Sequence, residues 1–301
     1  MKIALISGGS SGIGLSCAHW LAQRNYHVIL LARDLRRLER AELNLRQAGH
    51  AAVEAHALDV CDAQACAVLI AAILRKHGRI DWLITSAGMV EPGMFLDLAL
   101  ASHRQQMETN FFGTLHLVQP IAAHMRNQGG GRITLIASAA AFAGVAGYSG
   151  YAPGKFAVRG LGEVLRVELA PFGIAVGVAF PPDTDTPQLA QENLLKPEAT
   201  RQITAGGGVW PVDVIAARLL SQAEAGVFMI APTRLIWAFG WLHSLYAPLF
   251  RWHQARILRN VSKSRTGILV RLAQFLGVNK DEIGKGNHKA EAKQAHRDIT
   301  P

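Results

Sequence analysis

The most restrictive feature of this chain lies near its start. The apolar run Ile3-Ala4-Leu5-Ile6-Ser7 ends in Gly8-Gly9-Ser10-Ser11-Gly12-Ile13-Gly14, and a helical pattern follows. A strand that turns through glycine into a helix leaves the first helical N–H groups without intrahelical partners. It also aims the positive end of the helix dipole at the turn. Gly8 permits the tight turn, Gly12 lets the backbone approach a bound group, and Gly14 lets helix and strand pack closely. The apolar run is read as a first strand rather than a secretory leader, whose apolar region would be longer and end in small residues suited to cleavage.

Similar apolar runs recur at 27–32, 51–58, 80–85, 132–137, 174–180 and 227–230. Amphipathic stretches separate them at 13–24, 35–48, 62–77, 101–127, 149–171 and 211–223. Runs apolar on both faces, with helices between, imply a parallel sheet covered on each side. Right-handed crossovers make it doubly wound, so residues 1–232 are predicted to form one Rossmann-type α/β domain that binds its ligand at the carboxyl ends of the strands. The stretch 181–210, rich in Pro, Thr and Gly, is predicted to be a mobile loop.

In this setting the turn from Gly8 to Gly14, with Ser10, Ser11 and Ile13, suits the pyrophosphate of a dinucleotide. The end of the second strand reads Leu31-Ala32-Arg33-Asp34. Arg33 offers a planar fork to a 2′-phosphate, and Arg37, one helical turn later, is a second cation. Asp34 would favour the free ribose hydroxyls of NAD, but it equally suits the N-cap of the next helix. The charges therefore favour NADP(H). Asp59, at the end of the third strand, is expected near the adenine.

Tyr151-Ala152-Pro153-Gly154-Lys155 sets a phenol and an amine four residues apart, on one face of a helix. An ammonium beside a phenol is expected to lower a pKa of about 10, giving an acid able to protonate a ketone oxygen. Ser138, at the end of the fifth strand, can face the same crevice and polarise a carbonyl, or simply cap a turn. Asn110 lies in a helical stretch, where a buried amide needs a partner.

In order, Gly8 to Gly14, Asp59, Thr85-Ser86-Ala87-Gly88, Asn110, Ser138, Tyr151 and Lys155 resemble the motif series of the short-chain dehydrogenases/reductases across residues 1–232. The resemblance implies that Tyr151 is the acid/base, that Lys155 tunes it and holds the nicotinamide ribose, that Ser138 orients the carbonyl, and that Asn110 anchors a proton-relay water. It also implies cofactor contacts from Val60, Ala87 and Gly88. Thr85-Ser86 departs from the more usual Asn-Asn, a motif that mainly braces the sheet. A narrower resemblance, to the 3-ketodihydrosphingosine reductases, rests on Pro181-Pro182-Asp183-Thr184-Asp185-Thr186-Pro187, Glu192-Asn193 and Lys196-Pro197. Pro182 replaces the glycine of most relatives. That resemblance implies NADPH-dependent reduction of a long-chain lipid ketone, with Pro181 and Thr186 at the cofactor. Two other readings stay open: a reductase of a different lipophilic ketone, such as a steroid or a 3-oxoacyl thioester, and an NADP-binding regulator without catalysis.

Beyond residue 232 the pattern changes. Residues 235–250 carry no charge, between Arg234 and Arg251. Residues 251–301 hold 11 Lys/Arg against 4 Asp/Glu, a net +7 of the chain's +9. Residues 233–301 are therefore read as a hydrophobic and basic helical extension with a polar end of disordered composition. The aromatic residues of 235–250, followed by Arg251, Arg256, Arg259, Lys263, Arg265 and Arg271, are expected to rest 235–276 on the cytoplasmic face of a membrane. The sixteen uncharged residues would extend about 24 Å as a helix, short of a hydrocarbon core of about 30 Å. A flap over the active site, a contact between identical copies in a homo-oligomer, and a full span are the alternatives. Nucleic acid is not expected as a partner. Three cysteines make no disulfide framework, which suits a reducing compartment. Neither they nor the twelve histidines show metal-ligand spacing, so no metal is expected.

Overall fold

A computed structural model describes residues 1–275, with side chains as far as Lys263. The polar end after Gly277 lies outside the described residues, and the side chains of Arg265 and Arg271 lie outside those described. Seven parallel strands form one sheet: β1 (Lys2–Ser7), β2 (Tyr26–Ala32), β3 (Val53–Ala57), β4 (Trp82–Thr85), β5 (Gly131–Ile136), β6 (Ile174–Ala179) and β7 (Met229–Ile230). Their spatial order is β3-β2-β1-β4-β5-β6-β7, the doubly wound arrangement expected from the sequence. The order reverses between β1 and β4, where Ser7 pairs with Thr85, so a crevice opens beyond these two strand ends.

Strand residues alternate between two cores. Leu5, Ile29, Leu31, Leu83 and Leu135 face α3 (Ala63–His77), α5 (Gly113–Gln128) and α6 (Tyr151–Leu169). Ala4, Ile6, Val28, Leu30 and Ile84 face α1 (Gly12–Ala22), α2 (Leu35–Gln47) and α9 (Val212–Glu224). Both faces being covered explains why the strands read as continuous apolar runs. Helix α1 is tied across the fold to α9, where Ser16 Oγ donates to Asp213 Oδ1 at 2.6 Å.

Two stretches differ from the sequence reading. Residues 101–127 are not one helix: α4 (Leu100–Met107) passes through a π-helical turn, Glu108–Phe112, into α5. The expected loop 181–210 holds α7 (Pro187–Leu195) and α8 (Glu198–Thr204). The start of α7 is encoded locally, for Thr186 Oγ1 accepts from Leu189 N at 3.2 Å and Pro187 takes the first helical position, where a missing N–H costs nothing.

The described residues divide into two compact units, Met1–Phe250 and the segment from Arg251. Residues 233–250, assigned to an extension by the sequence, fall in the first unit with α10 (Arg234–Trp241) and the start of α11 (His243–Phe275). Ile236 is buried in the core with Phe142. Gly240 sits so close to Met229 and Phe142 that an added Cβ would lie 2.3 Å from Met229 Sδ.

Thr85, at the end of β4, is 2% exposed, and its hydroxyl has no hydrogen-bond partner among the described residues. The bracing expected here comes instead from Ser7, whose carbonyl accepts from Ser86 N at 3.1 Å and whose hydroxyl accepts from Ala87 N at 3.2 Å. Thr85→Val is therefore expected to raise the denaturation midpoint, by about 1 kcal/mol or more in unfolding free energy, because it removes an unsatisfied buried hydroxyl. A lower midpoint in urea would show that the hydroxyl is bonded.

Candidate active site

The crevice is a cleft of about 470 Å³. Its floor begins at the glycine turn. Gly8 has φ +68°, and an added Cβ would lie 2.8 Å from the backbone of Ser86 and Ala87. A Cβ at Gly14 would lie 2.3 Å from Gly8 O, so helix α1 leaves the strand at a distance only glycine allows. Gly14 thus shapes the turn from behind, while Gly8, Ser10, Ser11, Gly12 and Ile13 line the cleft.

At one end of the cleft stand Arg33 and Arg37. Asp34 caps α2, its carboxylate accepting from Arg37 N at 3.1 Å and pairing with Arg37 Nε at 3.3 Å. Among the described residues Arg33 has no ion-pair partner, so a planar cation stands open beside an acid already engaged. Val60, Ala87 and Gly88 line the middle. Asp59 is not in the lining; its carboxylate accepts from Cys61 N at 3.0 Å. Pro181 and Thr186 also line the cleft, with the Thr186 methyl 3.1 Å from where a Gly12 Cβ would stand.

Tyr151 and Lys155 share a face of α6 and both line the cleft. Lys155 is 6% exposed; its Nζ donates to Ile136 O at 3.0 Å and lies 5.7 Å from the centre of the Tyr151 ring. Ser138 caps the short helix Ala139–Ala141 through Ala140 N and hydrogen-bonds the Tyr151 phenol. The capping role suggested for that serine is therefore present, alongside a bond to the phenol. Asn110 is fully buried in the π-helical turn. Its amide donates to Met89 O at 2.9 Å and accepts from Met89 N at 3.1 Å, which gives the buried amide the partner it requires. That side chain holds the loop after β4; Asn110 O accepts from Thr114 Oγ1 at 3.0 Å.

The electrostatics differ from expectation in one respect. Burial raises the Tyr151 pKa and outweighs the Ser138 hydrogen bond that lowers it, with the charges of Glu192 and Asp183 adding to the rise. The expected lowering by Lys155 is not seen, because the same burial pushes the lysine down, to about 8. A neutral phenol results, which is the form that can give a proton.

The sequence reading assigned no role to a second cluster beside Tyr151. Tyr148, whose ring packs edge-on to Tyr151 at 5.8 Å, donates its hydroxyl to Glu192 Oε1. The same oxygen lies 2.9 Å from Lys196 Nζ, and Asp183 Oδ2 lies 3.5 Å from it. Lys196 is almost fully buried. Two carboxylates against one ammonium leave this cluster with one net negative charge, and Glu192 lines the cleft. The i,i+4 spacing of Glu192 and Lys196 was the available sequence signal; Tyr148 had none.

The family model described as short chain dehydrogenase matches residues 2–196. The chain belongs to the short-chain dehydrogenases/reductases. It is 36% identical over 256 residues to a 3-ketodihydrosphingosine reductase of Dictyostelium discoideum, covering 78% of this chain and 76% of that one. It is 33% identical over 228 residues to a 3-dehydrosphinganine reductase of Danio rerio, covering 74% and 69%. Among solved structures, a short-chain dehydrogenase from Sphingobium yanoikuyae in complex with NADPH aligns with TM-score 0.70 at 26% identity, covering 90% of this chain and 96% of that one. ElxO with NADP bound aligns with TM-score 0.69 at 25% identity, covering 78% and 98%.

The buried Lys155 ammonium is held at a cost in stability. A folded-state pKa of about 8 against the usual 10.5 means that the folded chain binds fewer protons than the unfolded one. The resulting destabilisation is full below pH 8 and fades as pH rises toward 10.5. Its upper scale is on the order of 3 kcal/mol, reduced by the bond to Ile136 O. Lys155→Met is therefore expected to abolish turnover and yet unfold at a higher temperature than wild type at pH 7, with the gap closing by pH 10. Tyr151→Phe should lose turnover by roughly 10²–10⁴-fold without that pH-dependent gain. A less stable Lys155→Met at pH 7 would refute the assignment of strain to the lysine.

Proposed function

We propose that this oxidoreductase reduces 3-oxosphinganine to sphinganine with NADPH, in sphingolipid synthesis. NADPH supplies the hydride when bound; the glycine turn would hold its pyrophosphate and Arg33 and Arg37 its 2′-phosphate. Tyr151, neutral and hydrogen-bonded to Ser138, gives its proton to the ketone oxygen. Lys155 lies in the same cleft, and Asn110 positions the Met89 loop beside it. The names and coverage of the relatives support the substrate class. The observation that carries the finer reading is the anionic cluster of Glu192, Asp183 and Lys196 at Tyr151. In 3-oxosphinganine an amino group sits on the carbon next to the ketone, so a ketone held at Tyr151 brings an ammonium close to this cluster. A 3-oxoacyl thioester or a steroid has no such cation to offer.

The test compares NADPH oxidation by wild type and Glu192→Gln on 3-oxosphinganine, its N-acetyl derivative and a 3-oxoacyl thioester. Wild type should favour the free amine. Glu192→Gln should raise KM for it by about tenfold or more, the scale of a charge-assisted hydrogen bond, and leave the uncharged ketones unaffected. Equal losses on all three ketones, or a wild type that prefers the thioester, would refute this reading.

We also propose that the first unit rests on the surface of an anionic membrane, with its cleft in the cytoplasm. One face of α10 enters the core through Ile236, while Leu235, Trp237, Trp241, Leu242, Leu245 and Leu249 face solvent, Trp241 at 68% and Leu245 at 73% exposure. Tryptophan with leucine on an exposed helical surface suits the headgroup boundary. Among the described residues no helix is long and apolar enough to cross a membrane. Arg251, Arg256, Arg259 and Lys263 are exposed on α11, each worth about 1 kcal/mol near anionic lipid. Full-length protein should sediment with phosphatidylserine vesicles, and Trp241→Ser with Leu245→Ser should release it without loss of turnover on a soluble short-chain substrate. A soluble dimer that ignores vesicles would make this face a contact between copies and overturn the membrane reading.

A further inference from the structure

At the edge of the sheet opposite the cleft, His27 of β2, Glu54 of β3 and His77 at the end of α3 bring their side chains together. The strand register arranges this. Ile29 pairs with Glu54, so His27 and Glu54 fall on the face that α3 covers, and α3 ends at His77 beside them. The Nε2 atoms of His27 and His77 lie 3.0 and 3.1 Å from Glu54 Oε1, and the three ligand atoms are all within 4.8 Å of one another. The two rings are 4.8 Å apart, centre to centre. Both Nε2 atoms are buried, and among the described residues neither has a well-aligned hydrogen bond, their close partner being the Glu54 carboxylate. Two ring nitrogens that converge on one carboxylate oxygen, close to it but off the hydrogen-bond direction, leave buried polar capacity unused.

We propose that His27, Glu54 and His77 bind a divalent transition-metal ion, with zinc the best match to two imidazoles and a carboxylate and a water completing the set. Ligand bonds of about 2.0–2.2 Å place the corners of a tetrahedron about 3.3 Å apart, which the observed 3.0 and 3.1 Å separations already approach. The ion would clip β2, β3 and α3 together. His27 is six residues from Arg33, about 20 Å along a strand, so the site is separate from the chemistry. His56 Nε2 lies 3.4 Å from the other carboxylate oxygen, Glu54 Oε2, and Oε1 itself has a competitor in Lys76, whose Nζ lies 2.8 Å from it. The lysine side chain is 62% exposed, so it can swing into solvent when a metal takes the carboxylate. Sequence spacing could not reveal this cluster, because its members stand 27 and 23 residues apart on three elements.

The experiment uses full-length, tag-free protein stripped with a chelator and titrated with Zn²⁺ alone, with Co²⁺ absorption as a report on coordination. One equivalent per chain should bind and raise the unfolding temperature, as a ligand of the native state does. His27→Ala and His77→Ala should each weaken binding by about tenfold or more. Lys76→Met, at an exposed position, should tighten it, because it removes the competing ammonium. NADPH-dependent turnover should stay unchanged in all three. Absence of stoichiometric binding, binding that survives both histidine changes, or a Lys76→Met variant that binds no tighter than wild type would overturn the proposal. The last outcome decides the matter even if the histidine variants fail to fold.

Discussion

The paired hydrogen bonds between the Asn110 side chain and the Met89 backbone hold together the segments on which the site is built. Asn110 stands in the π-helical turn between α4 and α5, Met89 lies on the loop after β4, and Gly154 of α6 packs so closely that its Cβ would meet Asn110 Cβ at 3.3 Å. An amide with no room for water must satisfy its donor and acceptor locally. Doing so fixes the loop that carries Gly88 past Lys155, where a Gly88 Cβ would lie 3.5 Å from Nζ. The extra residue of the π turn is the local deformation that lets a helix deliver that amide, and such turns recur at functional sites. Lose this contact and the lysine, the phenol and the turn after β4 lose their common reference.

The cleft has two electrical ends. Arg33 and Arg37 make one end cationic, while Glu192 and Asp183, only partly neutralised by Lys196, make the region near Tyr151 anionic. Lys155, in the same cleft, is a buried cation with a weakened hold on its proton. A site arranged this way orients a molecule with charge at both ends as well as holding it, because turning it round would set like charges together.

How much of this was legible depends on whether the signal was local. The glycine turn, the strand runs, and the Tyr151 and Lys155 pair each lie within a few consecutive residues, so period and spacing reveal them. The doubly wound parallel architecture also followed, since helices between parallel strands leave few topologies. Contacts through space were different. Tyr148 meets Glu192 across 44 residues, and His27, Glu54 and His77 meet only after three elements have packed. The stretch 181–210 was misread for another reason: proline and threonine were weighed as loop formers, although Thr186-Pro187 is equally a helix start. The phenol's pKa was misjudged because its four-residue spacing to Lys155 says nothing about how deeply both groups are buried.

The bond from Ser16 on α1 to Asp213 on α9 has a consequence for how the protein comes into being. Helix α1 opens on the glycine turn, yet its packing partner is made almost two hundred residues later. Contacts so distant in sequence form late, since the chain between them must first be ordered. During synthesis the glycine turn therefore leaves the ribosome well before the helix that helps to hold it in place. Until α9 emerges, the apolar face of α1 is left for other surfaces to find, and a nascent chain of this kind depends on what shelters it in that interval.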